Sequence, residues 1–400
     1  MTRKRERKQR VLAWAGWAGA GLLTAAILFL AIGDVVGAVG GAAALGVGLA
    51  FGHRHMIATP GVPILTYHSV SPDSSWLPWS KDIAVHPATL ERHLATFARM
   101  GCNVISTAAF VAARQAGRTL PPNSLILHFD DGYLDNWFYA VPLLRRANMP
   151  ATFFVSLDFI APGDELRRPG GDHRGYMNWA EIRAIDADPL FEVEAHGVDH
   201  GRVPISDRQV ATLNARNWRA LAWVQWARTP GPKHDWFLAD APPAVPLGSP
   251  VRESEGALAA PAYVDGARET EQAFRGRIAS NLHQCRAAFD RQLKRSPATF
   301  CWPENRVSDI GREVASALGY AATTGGLGRN TAAEPASILS RIHAGDRALG
   351  YRWGPAESLR IRATVRLFQG NHYWYLVSAL MDLIRRAVTG FRDRFGADYA

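Results

Sequence analysis

The sequence predicts an α/β domain, a parallel sheet or barrel with its site at the strand ends, behind an N-terminal transmembrane segment or hairpin. Three observations carry that expectation. Apolar strand-like runs alternate with stretches of helical periodicity from Val62 onward. Ser124-Leu-Ile-Leu-His-Phe-Asp-Asp-Gly132 is an apolar run that stops in two adjacent carboxylates and a glycine. Charge is thus placed at a strand's C-terminal end, where folds built from βα units bind ligands. Finally, Val11 to Gly52 contains a single charged residue, Asp34, and follows a basic tail.

The tail, 1–10, carries Arg3, Lys4, Arg5, Arg7, Lys8 and Arg10 against Glu6, which is +5 of the chain's net +9. The remaining body is close to balanced, so the basic excess argues for a cytoplasmic anchor flank and against a nucleic-acid surface. Residues 11–52 form the anchor. Val11 to Gly33 is long enough to span a bilayer, whose hydrocarbon core takes about 20 apolar residues. It exceeds the ~7–15-residue core of a cleaved signal, so we expect it to be retained. Val35 to Gly52 reads either as a second span, after a turn at Gly33-Asp34, or as an apolar stalk. Two spans would return the main domain to the cytoplasmic face of a bacterial inner membrane and one would place it outside; we favour two. Cys102, Cys285 and Cys301 are odd in number and lack metal-site spacing, which argues against a disulfide framework.

His53 to Gly61 reads as a linker, and Val62-Pro-Ile-Leu-Thr-Tyr-His68 as the first strand of a domain spanning 62–350. Leu90, Leu94 and Phe97 lie at helical spacing; Asn103 to Ser106 is strand-like, and another helix ends at Gly117. After the central strand, Leu134 to Asn148 is helical and Ala151-Thr-Phe-Phe-Val-Ser156 is a strand. Met177 to Asp188 is a helix, and Phe191-Glu-Val-Glu-Ala-His196 a strand ending in polar residues. An insertion at about 203–267 breaks the rhythm. Within it Ile205 to Arg228 is expected to be helical, with Trp218, Trp223 and Trp226 as core or as sugar-stacking faces, and Thr229 to Ala267 to be irregular. Phe274, Ile278, Leu282, Cys285, Phe289 and Leu293 mark one helix face. Asp309 to Leu318 is a helix, while Gly319 to Thr324 and Ile338 to Ile342 are the last strands. The 351–400 extension is helical. From Trp374 to Phe395 it carries one apolar stripe beside Arg385, Arg386, Arg392 and Arg394, suited to packing on the domain or to an anionic membrane surface.

His196 and His200, four apart after a strand, can converge on one cation. Two histidines with one aspartate leave positions open for water and substrate, as a hydrolytic metal requires, and the second aspartate is then free to act as a base. Asp130 and Asp131 also suit a plain turn capping the next helix. His343 after the last strand suits a proton donor or a solvated loop residue.

These motifs resemble those of the NodB-type polysaccharide deacetylases, carbohydrate esterase family 4, in the same order from Val62 to Gly345. His128-Phe-Asp-Asp-Gly132 resembles the family's Thr-Phe-Asp-Asp, His196-Gly-Val-Asp-His200 its His-Ser/Thr-x-x-His, and Ser340-Arg-Ile-His343 its closing Leu-x-His. Ile64-Leu-Thr-Tyr-His-Ser-Val70 is similar to the opening strand of the poly-N-acetylglucosamine deacetylase subgroup. The resemblance implies a deformed (β/α) barrel of about seven strands and a divalent metal, Zn2+ first among candidates, on Asp131, His196 and His200. It implies hydrolysis of the N-acetyl group of an amino sugar, in a polysaccharide or lipid-linked glycan, with Asp130 as general base and His343 as general acid. His68 is expected to line the pocket or to satisfy a core hydrogen bond, and Trp302 and Pro303 to form a pocket wall.

Two departures stand out. Cys301-Trp-Pro-Glu-Asn-Arg306 replaces the family's third motif, with Glu304 unaccounted for and Asn305 able to take the left-handed conformation a glycine would supply. The arginine that in relatives orients the catalytic aspartate has no obvious match; Arg306 and Arg341 are the candidates. A deformylase or other amidase on a lipid-linked sugar, and a catalytically weak carbohydrate-binding component of a polysaccharide synthesis or export machine, are the alternatives.

Overall fold

The computed structural model describes residues 3–395; Met1, Thr2 and 396–400 lie outside the described residues. So do the side chains of Arg3 and 392–395, and with them Arg392, Arg394 and Phe395 of the tail stripe. The chain divides into two compact units, Met1–Pro63 with Leu327–Ala333 and Arg347–Ala400, and Ile64–Gly326 with Glu334–Asp346.

The first unit opens with two long helices, α1 (Arg3–Ile32) and α2 (Val35–Met56), each long and apolar enough to cross a membrane. The turn between them is made by Gly33, at φ 65°, and by Asp34, whose carboxylate accepts from the Val36 and Gly37 amides at 2.9 and 3.0 Å. The one charge in the apolar stretch is therefore the N-cap of α2, satisfying amides a helix start leaves open. α2 faces α1 with glycines: Gly37, Gly41, Gly48 and Gly52 are buried, while Leu22, Leu23, Ile27, Val36 and Val39 point outward. The expected linker from His53 is helical as far as Met56.

The second unit is a closed parallel barrel of seven strands. In chain order its elements are β1 (Ile64–Tyr67), α3 (Ser80–Ile83), α4 (Pro87–Arg99), β2 (Asn103–Val104), α5 (Thr107–Gln115), β3 (Ser124–Phe129), α6 (Val141–Ala147), β4 (Ala151–Val155), α7 (Trp179–Asp186) and β5 (Phe191–Ala195). An insertion follows, with the ribbon β6 (Arg202–Thr212) and β7 (Pro250–Gly256), the single turn α8 (Trp223–Trp226), and a small pair β8 (Tyr263–Val264) and β9 (Ala267–Arg268). The barrel resumes with α9 (Glu271–Leu293), β10 (Thr299–Phe300), α10 (Asp309–Ala317), β11 (Ala322–Gly326) and β12 (Ile338–His343). Around the barrel the order is β1, β12, β11, β10, β5, β4, β3, and the β1–β3 pairing closes it; β2 pairs only with the first residues of β3. Leu125, Ile126, Leu127, Phe153, Phe154, Val193 and Phe300 are no more than 1% exposed although they alternate between the inside and the outside of the barrel wall, which is why these strands read as continuous apolar runs.

The insertion corrects one expectation. Ile205 to Arg228 is not one helix: its first third is the strand β6, antiparallel to β7 with register shifts at Pro204/Gln209 and Gln209/Ala211, and only the turn α8 near its end is helical. Those irregularities interrupt the alternation by which a strand is recognised. The ribbon packs on its own small core of Leu213, Trp218 and Val251.

The first unit ends with α11 (Gly354–Phe368) and α12 (Trp374–Phe395). On α12, Val377 and Met381 pack with Ala348, Leu349 and Ala356.

Candidate active site

All the chemistry-bearing residues singled out in the sequence stand at or beyond the C-terminal ends of barrel strands. Register places Thr66 beside both His128 and His343, so the ends of β1, β3 and β12 lie level. Asp130 and Asp131 leave β3, His196 leaves β5, His68 leaves β1, and His343 ends β12. One cavity of about 470 Å³ is lined by Asp130, Asp131, His196, His200, Arg341 and His343, with His68 beside them.

Asp131, His196 and His200 offer ligand atoms all within 4.8 Å of one another. Asp131 Oδ1 lies 3.2 Å from His196 Nε2 and 3.8 Å from His200 Nε2. His196 Nδ1 donates to the Cys301 carbonyl at 2.8 Å. A carbonyl only accepts, so Nδ1 carries a proton and Nε2 is the atom turned toward Asp131. Asp131 Oδ1 is itself sealed from solvent with no hydrogen-bond partner. Two imidazoles and one carboxylate converging within this span are a donor set that fits a divalent metal in type and number. Two of the three also share a backbone feature: Asp131 and His200 sit at φ 71° and 52°, a region that side-chain-bearing residues rarely adopt. A second cluster, Asp130, His196 and Cys301, is also compact. It fits less well, because both Asp130 oxygens already accept from a cation.

That cation is Arg341. Its Nη1 donates to Asp130 Oδ1 and Oδ2, both at 2.8 Å, and its Nε to Asn305 Oδ1 at 3.2 Å. Arg306 instead pairs with Glu255 on the surface. The orienting arginine is thus on β12, two residues before His343. Asn305 takes φ 55° and also accepts from the Gly325 amide, 2.9 Å away, so the left-handed turn sets Arg341's fork. Burial pushes the Asp130 carboxyl up, but Arg341, with His196 and His68, outweighs it and holds the group down at about 2. Asp131 is likewise held low against burial, chiefly by His196.

His68 Nε2 is 3.8 Å from Asp130 Oδ2, and its ring is 5.3 Å from that of His343. His68 therefore stands between the two. Removal from bulk water, with His68 alongside, lowers His343 to about 4. The loop bearing His68 is tied down by two residues the sequence reading passed over. Asp135 accepts from Ser69 Oγ at 2.5 Å and from the Val70 amide at 3.0 Å, and Asn136 Nδ2 donates to the His68 carbonyl at 3.0 Å. Their only signal was position, one helical turn past the aspartate pair.

Trp302 and Pro303 correct a further expectation. Both are buried, Trp302 completely, against Phe300, and neither lines the cavity. Their neighbours Glu304 and Asn305 do, and Glu304 pairs with Arg202 at the start of β6. The apolar wall comes instead from Trp79, Tyr133, Phe159, Tyr176, Trp223 and Trp226. Trp218 is core, whereas Trp223 and Trp226 face the cavity.

A family model described as polysaccharide deacetylase matches residues 117–228, from just before β3 into the insertion. The poly-beta-1,6-N-acetyl-D-glucosamine N-deacetylase of Escherichia coli (strain K12) is 23% identical over 140 residues, 34% of this chain and 20% of that protein. This chain thus matches about a fifth of that relative's length. Among solved structures, the BpsB deacetylase domain of Bordetella bronchiseptica has a TM-score of 0.51 at 20% identity, covering 72% of this chain and 97% of that one. A de-N-acetylase from Aggregatibacter actinomycetemcomitans has a TM-score of 0.50 at 19% identity, over 70% and 94% of the two chains. At these identities the structural likeness speaks for the fold.

Proposed function

We propose that this chain, a member of the polysaccharide deacetylase family, hydrolyses the N-acetyl group of an amino sugar in a polymer or lipid-linked glycan. In this reading Asp131, His196 and His200 hold a divalent cation, zinc first among candidates. The observation that carries the proposal is the division of labour between adjacent aspartates. Asp131 turns an unpartnered oxygen toward two imidazoles, while Asp130 is held by Arg341 beside them.

When bound, the cation would polarise the amide carbonyl and make water a better acid. The chain's own groups do the rest. Asp130, ionised at neutral pH, takes a proton from water in the cavity it lines. An amine is a poor leaving group until protonated, and in this reading His343, at the end of β12 on the other side of β1 from Asp130, protonates it. Because His343 starts neutral, the proton it delivers is one it first receives, and His68 lies between it and Asp130. The indole and phenol faces of the wall suit the apolar face of a sugar ring.

The two apolar helices serve in this proposal as an anchor in a bacterial inner membrane. Arg5 and Lys8 in the first turns of α1 put the N-terminus in the cytoplasm by the positive-inside rule, and a hairpin returns the chain to that face, where polysaccharide synthesis or export machinery is the expected partner. The test is acetate release from N-acetylglucosamine oligomers by the full chain in detergent, before chelation, after chelation and after zinc return. Release should vanish with chelator, recover with zinc and be absent in Asp130→Asn. Stoichiometric metal without acetate would redirect the substrate to lipid-linked sugars, and absence of metal binding would sink the catalytic reading.

A further inference from the structure

We propose that α12 lies in the headgroup layer of an anionic phospholipid bilayer, with Lys4, Arg385 and Arg386 taking the lipid phosphates. This rests on the reading of α1 and α2 as a membrane hairpin, and it adds a second, lateral membrane contact to the same unit.

One face of α12 is already used. Val377 and Met381 pack on Ala348, Leu349 and Ala356, and a Cβ at Gly350 would stand 3.1 Å from Val388 Cγ1. The adjoining face is exposed: Leu376, Leu380, Leu383 and Ile384 lie on it, Leu380 and Leu383 at 58% and 59%. At 3.6 residues per turn these four fall in one arc of about 100°. Arg386 flanks it. A folded helix that keeps four large apolar side chains exposed calls for a cover.

Charge identifies the cover. A cavity of about 560 Å³ is lined by Lys4, Asp382, Arg385, Arg386, Thr389 and Gly390, joining α12 to the start of α1. Asp382 is neutralised by Arg360 at 2.8 Å. Among the described residues, Lys4, Arg385 and Arg386 have no ion-pair partner. Depth agrees. Lys4 precedes Val11 by about 10 Å of helix at 1.5 Å per residue, against a headgroup zone of about 5–8 Å on each side of the hydrocarbon. A residue lining the same cavity as Lys4 is therefore near the outer edge of that zone. A second copy of α12 would bring the same cations against themselves, whereas anionic lipid neutralises them and takes the leucines into its acyl boundary. Each Lys or Arg near such a surface strengthens binding by about fivefold.

The full-length chain is reconstituted in nanodiscs of phosphatidylcholine with and without phosphatidylglycerol. It carries an environment-sensitive fluorophore at Leu383→Cys in a Cys102→Ser background, since Cys285 and Cys301 are buried. In anionic discs the emission should move to shorter wavelength and be quenched by brominated phosphatidylglycerol, with much smaller changes in phosphatidylcholine. Arg385→Glu with Arg386→Glu should lower the bilayer-facing population by about 25-fold or more, two cations' worth at that rate. Emission unchanged between the two lipids overturns the proposal. So does a shift produced by inorganic phosphate alone, or one that grows with protein concentration in the absence of lipid. Hydrogen exchange of 11–52 in the same discs separates the two readings. Protected spans with an aqueous Leu383 probe refute the α12 contact alone, and unprotected spans refute the hairpin on which it rests.

Discussion

A carboxylate that is to accept a proton from water at neutral pH must stay ionised where burial opposes ionisation. Asp130 is 2% exposed, and one cation, Arg341 Nη1, touches both its oxygens. Removing that cation leaves a buried charge unpaired, which destabilises by about 3–5 kcal/mol and lets the carboxyl protonate. Arg341→Met should therefore lower kcat/KM by about 10²–10⁴-fold, the span of a general base. In an Asp130→Asn background the same substitution should cost almost nothing further, because the two act as one unit. Arg341→Lys keeps the charge and loses the Nε bond to Asn305, so it should fall between. Steady-state kinetics on the four combinations, with urea unfolding as a check on folding, decide it. Additive losses would mean that Arg341 acts through something other than Asp130.

At the scale of elements, the anchor shows why glycine is used where it is a poor helix former by about 1 kcal/mol. A Cβ at Gly48 would stand 2.6 Å from the Trp17 carbonyl oxygen and 2.8 Å from Gly21 Cα, and one at Gly41 would stand 2.9 Å from the Ala25 carbonyl oxygen. Gly46 on the same helix has nothing within 4 Å. Gly48→Ala should loosen the hairpin by about 1–3 kcal/mol, an overpacking cost, while Gly46→Ala should be neutral or stabilising. Faster hydrogen exchange of 35–56 in Gly48→Ala but not in Gly46→Ala is the expected result; equal behaviour would mean that the helices do not pack this closely. Other elements differ in how far they could be read in advance. The barrel strands were legible because burial on both faces leaves unbroken apolar runs, and Asp130, Asp131, His196 and His200 because they follow such runs directly. Strand β6 was not, since its bulges break the period of two. Nor could Arg341 be assigned, because its contact with Asp130 joins residues 211 apart and depends on barrel closure. Trp302 and Pro303 misled for a related reason: past the end of β10 both turn into the packed interior, and the chain reaches the cavity only at Glu304.

For the molecule as a whole, acid should be the weakness, because both compact units enclose histidines in the neutral form. In the barrel unit His93 and His128 are buried at 1% and 0% exposure, and burial pushes both down to about 3. His93 Nδ1 is bonded to Tyr67 Oη at 3.0 Å, and His128 Nε2 to Thr107 Oγ1 at 2.9 Å. In the other unit, burial, then Arg10 and Arg329, lower His372 to about 4. An unfolded histidine takes up its proton near pH 6.5, and these do so only well below that. Between those limits the unfolded chain binds more protons, so stability rises with pH there. It is fully present above about pH 6.5 and is lost as pH falls toward 3. Each such histidine contributes a slope of up to about 1.4 kcal/mol per pH unit. Urea unfolding of the full chain in detergent at several pH values from 7 to 4 should show the transition of the barrel moving to lower urea as pH drops. His93→Gln, which retains a polar partner for Tyr67 but cannot be protonated, should remove about one proton from that slope. If His93→Gln unfolds with the same pH dependence as the parent, His93 takes up its proton equally in both states. The acid sensitivity of the barrel would then have to come from other groups.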